Sequence, residues 1–238
     1  KWYQENPEQA KKDGCYFLDG KWVLSLKQKQ KILTNNIYGV DLDSQAVEVT
    51  QLSLYLKLLE DETTATTQDT WVMFKEQLLP NLNNNIVCGN SLIGTDILNP
   101  TSFLPFVKGE DEGGVDELKL KPMDFEDVFP HIFKKGSSTS SEQGFDAIVG
   151  NPPYRMIQPN NTEEKLLKYI KEKFEVASFK IDLFHLFINQ GLKLTKKDGY
   201  LSYITPTSIL NNVYAEKLRK WILDIIYLGI YIKAMGRR

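Results

Sequence analysis

The chain has 238 residues, of which 42% are hydrophobic, and it carries 29 Lys and Arg against 31 Asp and Glu. This content supports one large domain, or a domain and a half, with its own core, and the near-neutral balance argues against a simple nucleic-acid-binding module. The first residues lack the basic-then-apolar layout of a signal peptide, and the longest apolar stretch, 221–232, is too short to span a membrane. Because the chain begins at Lys1, we expect it to be part of a longer protein.

Cysteine and histidine are both scarce. Two cysteines, Cys15 and Cys88, fit a reducing cytoplasm, and Cys88 lies in an apolar segment that favours an inert core thiol. The histidines, His131 and His185, lie far from the cysteines in the sequence, so no metal site is expected. His185 lies on an apolar helix, where a lone histidine is interpreted as a core residue with satisfied hydrogen bonds.

Charge is distributed unevenly along the chain. Residues 1–150 hold 14 basic and 23 acidic side chains, a net charge of −9, whereas residues 151–238 hold 15 basic and 8 acidic ones, a net charge of +7. A basic half is what a surface that faces a polyanion requires. The alternative is a set of solvated helix faces, which we prefer for the lysines of 165–175.

Strands and helices are predicted to alternate. Residues 1–34 are interpreted as an N-terminal helical segment, and a threonine-rich loop is expected at 61–70. Apolar runs predict buried strands at 35–43, 85–94, 145–150 and 200–206. Helices are predicted from an N-cap at Ser44, over 181–199 with a glycine C-cap, and over 215–226.

Residues 99–144 interrupt this alternation. They are rich in Pro, Gly, Asp, Glu and Ser, and we interpret them as a long, partly mobile insertion with a short helix within 125–133. Apolar strands that alternate with helices indicate a parallel sheet covered on both faces. The sequence therefore predicts a doubly wound α/β fold over 35–238.

Ligands of such sheets lie beyond the carboxyl ends of the strands. Asp41 follows the first apolar strand, and a carboxylate there can accept hydrogen bonds from both hydroxyls of a ribose. Asn90 follows the second strand, directly before Ser91, and its amide could bind the edge of an adenine ring. Alternatively, Asp41 forms a turn or caps a helix, and Asn90 occupies a tight turn. Asp43 is the better candidate for a helix cap.

The third strand ends in the uncharged tetrapeptide Asn151, Pro152, Pro153 and Tyr154, hereafter the NPPY turn. Pro152 keeps Asn151 out of the helical region, and neither proline has an N–H that would compete for acceptors. The Asn151 side-chain oxygen and the Pro152 carbonyl can together hold both N–H groups of a planar amine, which localises its lone pair. Tyr154 supplies a flat face on which an extruded base can stack. The alternative is a purely structural turn after a strand.

Four segments taken together resemble a known family. Residues 37–59, 86–94, 145–154 and 182–210 look like successive motifs of S-adenosylmethionine-dependent amino-methyltransferases. More narrowly, they resemble the N6-adenine DNA methyltransferases of bacterial type II restriction-modification systems, especially those that fuse methylase and nuclease in one polypeptide.

The resemblance implies a role for each matching residue. Asp41 would bind the ribose of S-adenosylmethionine and Leu42 would lie beside its adenine. Asn90, followed by Ser91, would contact that adenine, although the family often has Asp at this position. Phe187 would line the cofactor pocket, and the catalytic motif would consist of Asn151, Pro152, Pro153 and Tyr154.

The activity implied is methyl transfer to N6 of an adenine flipped out of double-stranded DNA, in the bacterial cytoplasm. One alternative keeps the NPPY turn but changes the substrate to a ribosomal RNA base or a protein glutamine. A second is a non-catalytic scaffold within a restriction assembly. No Gly-x-Gly-x-x-Gly loop precedes Asp41, which argues against a dinucleotide-dependent oxidoreductase. The DNA site recognised, the attachment of a nuclease and the oligomeric state do not follow from the sequence.

Several family segments have no match in the chain. These are the glycine-rich cofactor loop with its strand, the second aromatic that sandwiches the base, the target-recognition domain and a nuclease segment. Without a central strand, two strand edges would be open. We therefore expect residues 1–238 by themselves to be inactive and to self-associate through these edges.

Overall fold

A computed structural model describes residues 2–18, 20–60, 79–98, 117–133, 143–177 and 181–225. The chain divides into two compact units, Lys1–Asn90 and Ser91–Arg238, which are described separately. The threonine-rich loop at 61–70, much of the insertion at 99–144 and the chain from 226 onward lie outside the described residues. What is described is a mixed α/β protein built on small sheets.

The first unit begins with short helices and a hairpin. The elements up to residue 36 are α1 (Trp2–Glu5), α2 (Pro7–Lys12), β1 (Tyr16–Leu18), β2 (Lys21–Val23) and α3 (Leu26–Asn36). Strands β1 and β2 pair antiparallel, with Tyr16 opposite Val23. The segment predicted to be helical therefore also contains a hairpin, turned by Gly20 with a φ of 77° that favours glycine.

Two parallel strands and one long helix complete the first unit. These elements are β3 (Gly39–Asp41), α4 (Ser44–Leu59) and β4 (Ile86–Cys88). Gly39 pairs with Ile86 and Asp41 with Cys88, so both strands end at the same edge. A core covers the pair and comprises Leu26, Leu33, Val47, Leu58, Leu82 and Ile86.

Two polar side chains satisfy backbone groups at the ends of helices in this unit. The N-cap of α4 is Asp43, the second cap candidate of the sequence, and not Ser44, because the Asp43 carboxylate accepts the Gln45 N–H at 2.9 Å. The buried Asn85 amide donates to the carbonyls of Thr34 at 2.8 Å and Ile37 at 3.0 Å. These contacts satisfy carbonyls at the end of α3, where the helix offers them no partner.

The second unit contains a longer parallel pair. Its helices and strands are α5 (Glu117–Leu120), α6 (Phe125–Val128), β5 (Phe145–Gly150), β6 (Met156–Ile157), α7 (Glu164–Lys173), β7 (Ile181–Asp182), α8 (Leu183–Leu194), β8 (Thr195–Tyr203) and α9 (Glu216–Ile225). Strands β5 and β8 pair in parallel, with Gly150 opposite Tyr203. Strands β6 and β7 pair antiparallel. The short helix predicted in the insertion is confirmed as α6.

Helix α8 ends earlier than the sequence predicts. The prediction extended it to Gly199, but the helix ends at Leu194 and β8 begins at Thr195. The Thr195 hydroxyl donates to the Gly191 carbonyl at 2.7 Å, which caps the helix without a glycine. Thr195 is β-branched and already pairs with Phe145.

Strand β5 is not buried as the sequence predicts. Its Val149 side chain is 81% exposed, and Ala147, on the same side of the strand, is exposed as well. One edge of β5 pairs with β8, and at its start Asp146 forms an ion pair with Lys196. This lysine lowers the pKa of the Asp146 carboxyl.

The buried face of α8 carries two polar side chains. His185 is 2% exposed, which confirms its predicted place in the core, but its Nε2 atom has no hydrogen-bond partner in the part of the chain that the structure describes. Burial lowers the pKa of His185. Asn189 is fully buried, and neither end of its amide has a partner among the described residues. Among the described residues, the predicted hydrogen bonding of His185 is therefore not confirmed at Nε2.

Candidate active site

The NPPY turn is held at both of its ends. Just before it, the Gly150 carbonyl accepts the Ile204 N–H at 3.1 Å, which continues the β5–β8 ladder by one step. Just after it, the Arg155 carbonyl accepts the Leu183 N–H at 2.9 Å, at the start of α8. The four residues between these anchors therefore form a short bridge that spans from β5 to α8.

Gly150 allows a close approach directly before Asn151. A Cβ atom at Gly150 would lie 2.9 Å from the Tyr203 ring, and one at Gly191 would lie 2.7 Å from the Tyr203 hydroxyl oxygen. Such distances are too short for real contacts, so the Tyr203 ring fits only because both positions are glycine. Burial raises the pKa of Tyr203 to about 12. The ring fixes the end of β5 against β8 and α8.

Asn151 and Tyr154 lie next to each other in the turn. The Tyr154 hydroxyl lies 3.1 Å from the Asn151 Oδ1 atom and 2.8 Å from the Ile204 carbonyl oxygen. The Tyr154 ring meets Phe184 of α8 at 86° with 6.2 Å between ring centroids. Even so, 52% of Tyr154 is exposed, and Asn151 is exposed too. Asn151 and Tyr154, which the sequence analysis assigned to one motif, thus both lie at the surface.

The two oxygens of the turn that matter here are the Asn151 Oδ1 and the Pro152 carbonyl oxygen. Among the described residues, no donor contacts the Pro152 carbonyl, and the Tyr154 hydroxyl alone contacts the Asn151 side chain. Pro152 is buried, whereas Asn151 and Pro153 are exposed. Pro152 and Pro153 have no N–H, so neither proline places a backbone donor beside these acceptors. Such an arrangement can bind the two hydrogens of an uncharged amine beside an aromatic face.

Asp41 and Leu42 lie at the shared edge of β3 and β4 in the first unit. The Asp41 carbonyl accepts the Gly89 N–H at 2.9 Å, and its Oδ1 accepts the Asp43 N–H at 2.8 Å. Asp41 therefore does form a turn, as the alternative interpretation stated, while its side chain stays exposed. Leu42 is 49% exposed beside it. An exposed carboxylate next to an exposed apolar side chain fits the ribose and adenine of a nucleoside.

Asn90 and Cys88 lie at the end of β4. Asn90 is half-buried where the strand ends, next to the strand that carries Asp41. Cys88 is exposed, and its Sγ lies 3.4 Å from the Leu42 carbonyl oxygen. The prediction of a core thiol was wrong, because Cys88 is the last residue of β4 and lies at its open end. The buried cysteine is Cys15.

Ser91 and Phe187 lie in the second unit. Ser91 lines a cavity of about 370 Å³ together with Asp124, Lys173 and Gln190. Phe187 is half-buried on α8 and packs against the core of that unit. The aromatic that contacts Tyr154 is Phe184, one turn earlier on the same helix.

Sequence reasoning missed the residues that hold the turn in place. Ile204 contacts Tyr154 and Gly150, yet it lies about fifty positions away from both in the sequence. The sequence could have identified Phe184, because residues 184 and 187 are three positions apart on one helix and share a face. Nothing in the local sequence marks Ile204, because its role depends on the register of β5 and β8.

Comparison with known families places the chain among methylases of restriction-modification systems. The model that matches, over residues 35–232, is described as Eco57I restriction-modification methylase, and the chain belongs to that family. The family resemblance inferred from the four segments is confirmed.

Individual relatives agree with the family. The chain is 33% identical over 210 residues to the type II restriction enzyme and methyltransferase RM.Eco57I of Escherichia coli. The matching region covers 87% of this chain and 18% of that protein. It is 34% identical over 80 residues to the type II methyltransferase M.BstVI of Geobacillus stearothermophilus, covering 34% of this chain and 14% of the relative. A third relative, 33% identical over 82 residues, is the adenine-specific methyltransferase BrxX of Escherichia coli O9:H4 (strain HS), covering 34% of this chain and 6% of that protein. The chain thus spans less than a fifth of the length of each of these three relatives.

Two features are absent from the described ranges. No helix in them is both long enough and apolar enough to cross a membrane. Nor do they contain a group of three or more His, Cys, Asp and Glu side chains placed to hold a metal ion.

Proposed function

We propose that the chain carries the catalytic part of an enzyme that transfers a methyl group from S-adenosylmethionine to N6 of an adenine in DNA. The observation that supports this most is the NPPY turn, where acceptors and an exposed aromatic ring lie together at the end of β5. Membership of a restriction-modification methylase family supports the reaction class. The whole protein would act on double-stranded DNA in the bacterial cytoplasm, with a nuclease fused to it.

In this proposal Asn151 and Pro152 bind and activate the acceptor amine. The Asn151 Oδ1 and the Pro152 carbonyl oxygen each accept one N–H of the adenine amine, which localises the nitrogen lone pair as positive charge develops. Because the groups are uncharged, they need no particular protonation state near neutral pH. The exposed Tyr154 ring stacks on the base, and stacking of this kind contributes about 1–3 kcal/mol per base.

The target adenine must leave the duplex to reach the turn. An amine within the base stack is inaccessible, so enzymes that act on one flip the nucleotide out at a cost of about a few kcal/mol. The basic half of the sequence, with a net charge of +7 over 151–238, would help to hold the phosphate backbone.

Asp41, Leu42 and Asn90 would hold the nucleoside part of S-adenosylmethionine. The cofactor supplies an electrophilic methyl group when it is bound. The exposed Asp41 carboxylate would accept hydrogen bonds from the ribose hydroxyls, and Leu42 would cover one side of the adenine. Ser91 and Phe187, in the second unit, are proposed as further cofactor-binding residues. The fold that we propose for the catalytic domain, 35–238 with 99–144 as its insertion, is a doubly wound parallel α/β sheet.

Substitution of Asn151 tests this proposal. In the protein expressed from the full open reading frame, Asn151→Ala should lower the methyl-transfer rate by at least about 100-fold, the usual cost of losing one group that stabilises the transition state. Cofactor binding, measured by calorimetry, should remain unchanged because Asn151 acts on the amine. Asn160→Ala, at an exposed position outside the turn, is the matched control and should keep its activity. Near wild-type turnover by Asn151→Ala would show that the mechanism is wrong.

A further inference from the structure

The Tyr154 hydroxyl faces two carbonyl oxygens but has one proton to donate. The Ile204 carbonyl oxygen lies at 2.8 Å and the Asn151 Oδ1 at 3.1 Å. A phenol hydroxyl donates one hydrogen bond at a time, so these two oxygens share it. This places the hydroxyl directly beside an atom that the proposed reaction uses.

Asn151 needs such a neighbour because its amide is otherwise unrestrained. The side chain is exposed, and the last torsion of an asparagine is broad and roughly two-fold. Rotation by half a turn would exchange the acceptor Oδ1 for the donor Nδ2, which repels an amine N–H. Within the described ranges, the Tyr154 hydroxyl is the group that contacts this amide. When the hydroxyl directs its proton at Asn151, it favours the orientation in which oxygen, not nitrogen, faces it, and this is the orientation that the structure shows.

The same contact leaves Oδ1 able to accept a second hydrogen bond. An amide oxygen has two lone pairs, and the hydroxyl of Tyr154 uses one. Tyr154 is itself held in place, since its hydroxyl lies against Ile204 and its ring forms a T-shaped pair with Phe184. The ring and the hydroxyl can thus do two different tasks from one side chain.

We propose that the Tyr154 hydroxyl is a positioning group that orients the Asn151 amide for the acceptor amine, independently of the stacking role of the ring. The proposal rests on the proposed function, because it concerns the same amine. The competing explanation is structural: the hydroxyl would merely fasten the turn to Ile204.

Tyr154→Phe separates the ring from the hydroxyl. In the full-length protein, the single-turnover rate of methyl transfer should fall by about 3- to 10-fold, the value of one neutral hydrogen bond. Insertion of the base should be unchanged, because the phenylalanine ring still stacks. Base insertion is measured by the fluorescence of 2-aminopurine, placed at the position that the wild-type enzyme methylates. Tyr154→Ala should impair both the rate and the fluorescence change. Tyr200→Phe removes a hydroxyl from a residue of β8 that is 77% exposed, and is the matched control.

Each outcome decides between the explanations. A lower rate with unchanged base insertion and unchanged melting temperature supports the positioning role. An unchanged rate would overturn it, and so would a joint loss of rate, base insertion and thermal stability, which indicates the structural role. If the wild-type protein methylates no DNA, the proposed function fails, and the positioning role fails with it.

Discussion

Tyr169 shows how much one buried hydroxyl can support. It is 1% exposed on α7, and its oxygen accepts the Gly94 N–H at 2.8 Å while its hydroxyl donates to the Asp96 carboxylate at 2.6 Å. Lys173 contacts both the hydroxyl and Asp96. Burial, followed by the hydrogen bond to Asp96, raises the pKa of Tyr169, so the hydroxyl keeps its proton and remains a donor.

Removal of this hydroxyl should destabilise the second unit. Tyr169→Phe leaves the buried Gly94 N–H without an acceptor, and an unsatisfied buried group costs about 1–3 kcal/mol. Urea denaturation should show that loss in the free energy of unfolding. Tyr200→Phe, at an exposed position, should change it by less than about 0.5 kcal/mol. Equal stability of Tyr169→Phe and wild type would mean that the hydroxyl contributes nothing net.

At the level of single elements, local patterns predicted what depends on local physics. The apolar run 145–150 is a strand, and the helix after Asp43 begins at the predicted place to within one residue. The predicted end of α8 was wrong. The sequence favoured Gly199 as the capping residue, but the pairing of Thr195 with Phe145 starts the strand earlier. The contact between Tyr154 and Ile204 was out of reach, since it requires the register of two strands far apart in the sequence.

Strand β5 also supports a prediction about association. Val149 is 81% exposed on an apolar strand, and an exposed apolar strand readily pairs with a strand of another chain. Residues 1–238 expressed by themselves should therefore form dimers or larger species, as measured by sedimentation velocity. Val149→Lys should shift the population toward monomer, because a charge on such a strand opposes pairing. A wild-type chain that stays monomeric at high concentration would contradict this expectation.

For the whole molecule, the two units contain the parts of the proposed reaction. The first has an exposed carboxylate and an apolar side chain suited to a nucleoside, and the second has the NPPY turn with its neutral acceptors. The chain spans 18% of the length of its relative RM.Eco57I. The proposed activity therefore has to be tested in the full-length protein. Membership of the family supports the reaction class of the proposal.

The identity of the methylated atom tests the central claim most directly. The full-length protein should be incubated with duplex DNA, ribosomal RNA and a glutamine-containing protein in separate reactions, each with S-adenosylmethionine labelled in its methyl group. Mass spectrometry of the digested products should find the label on N6 of adenine in the DNA, and in neither of the other two acceptors. Label in ribosomal RNA or on a glutamine amide, with none in DNA, would contradict the account, and transfer to no acceptor at all would favour a non-catalytic scaffold.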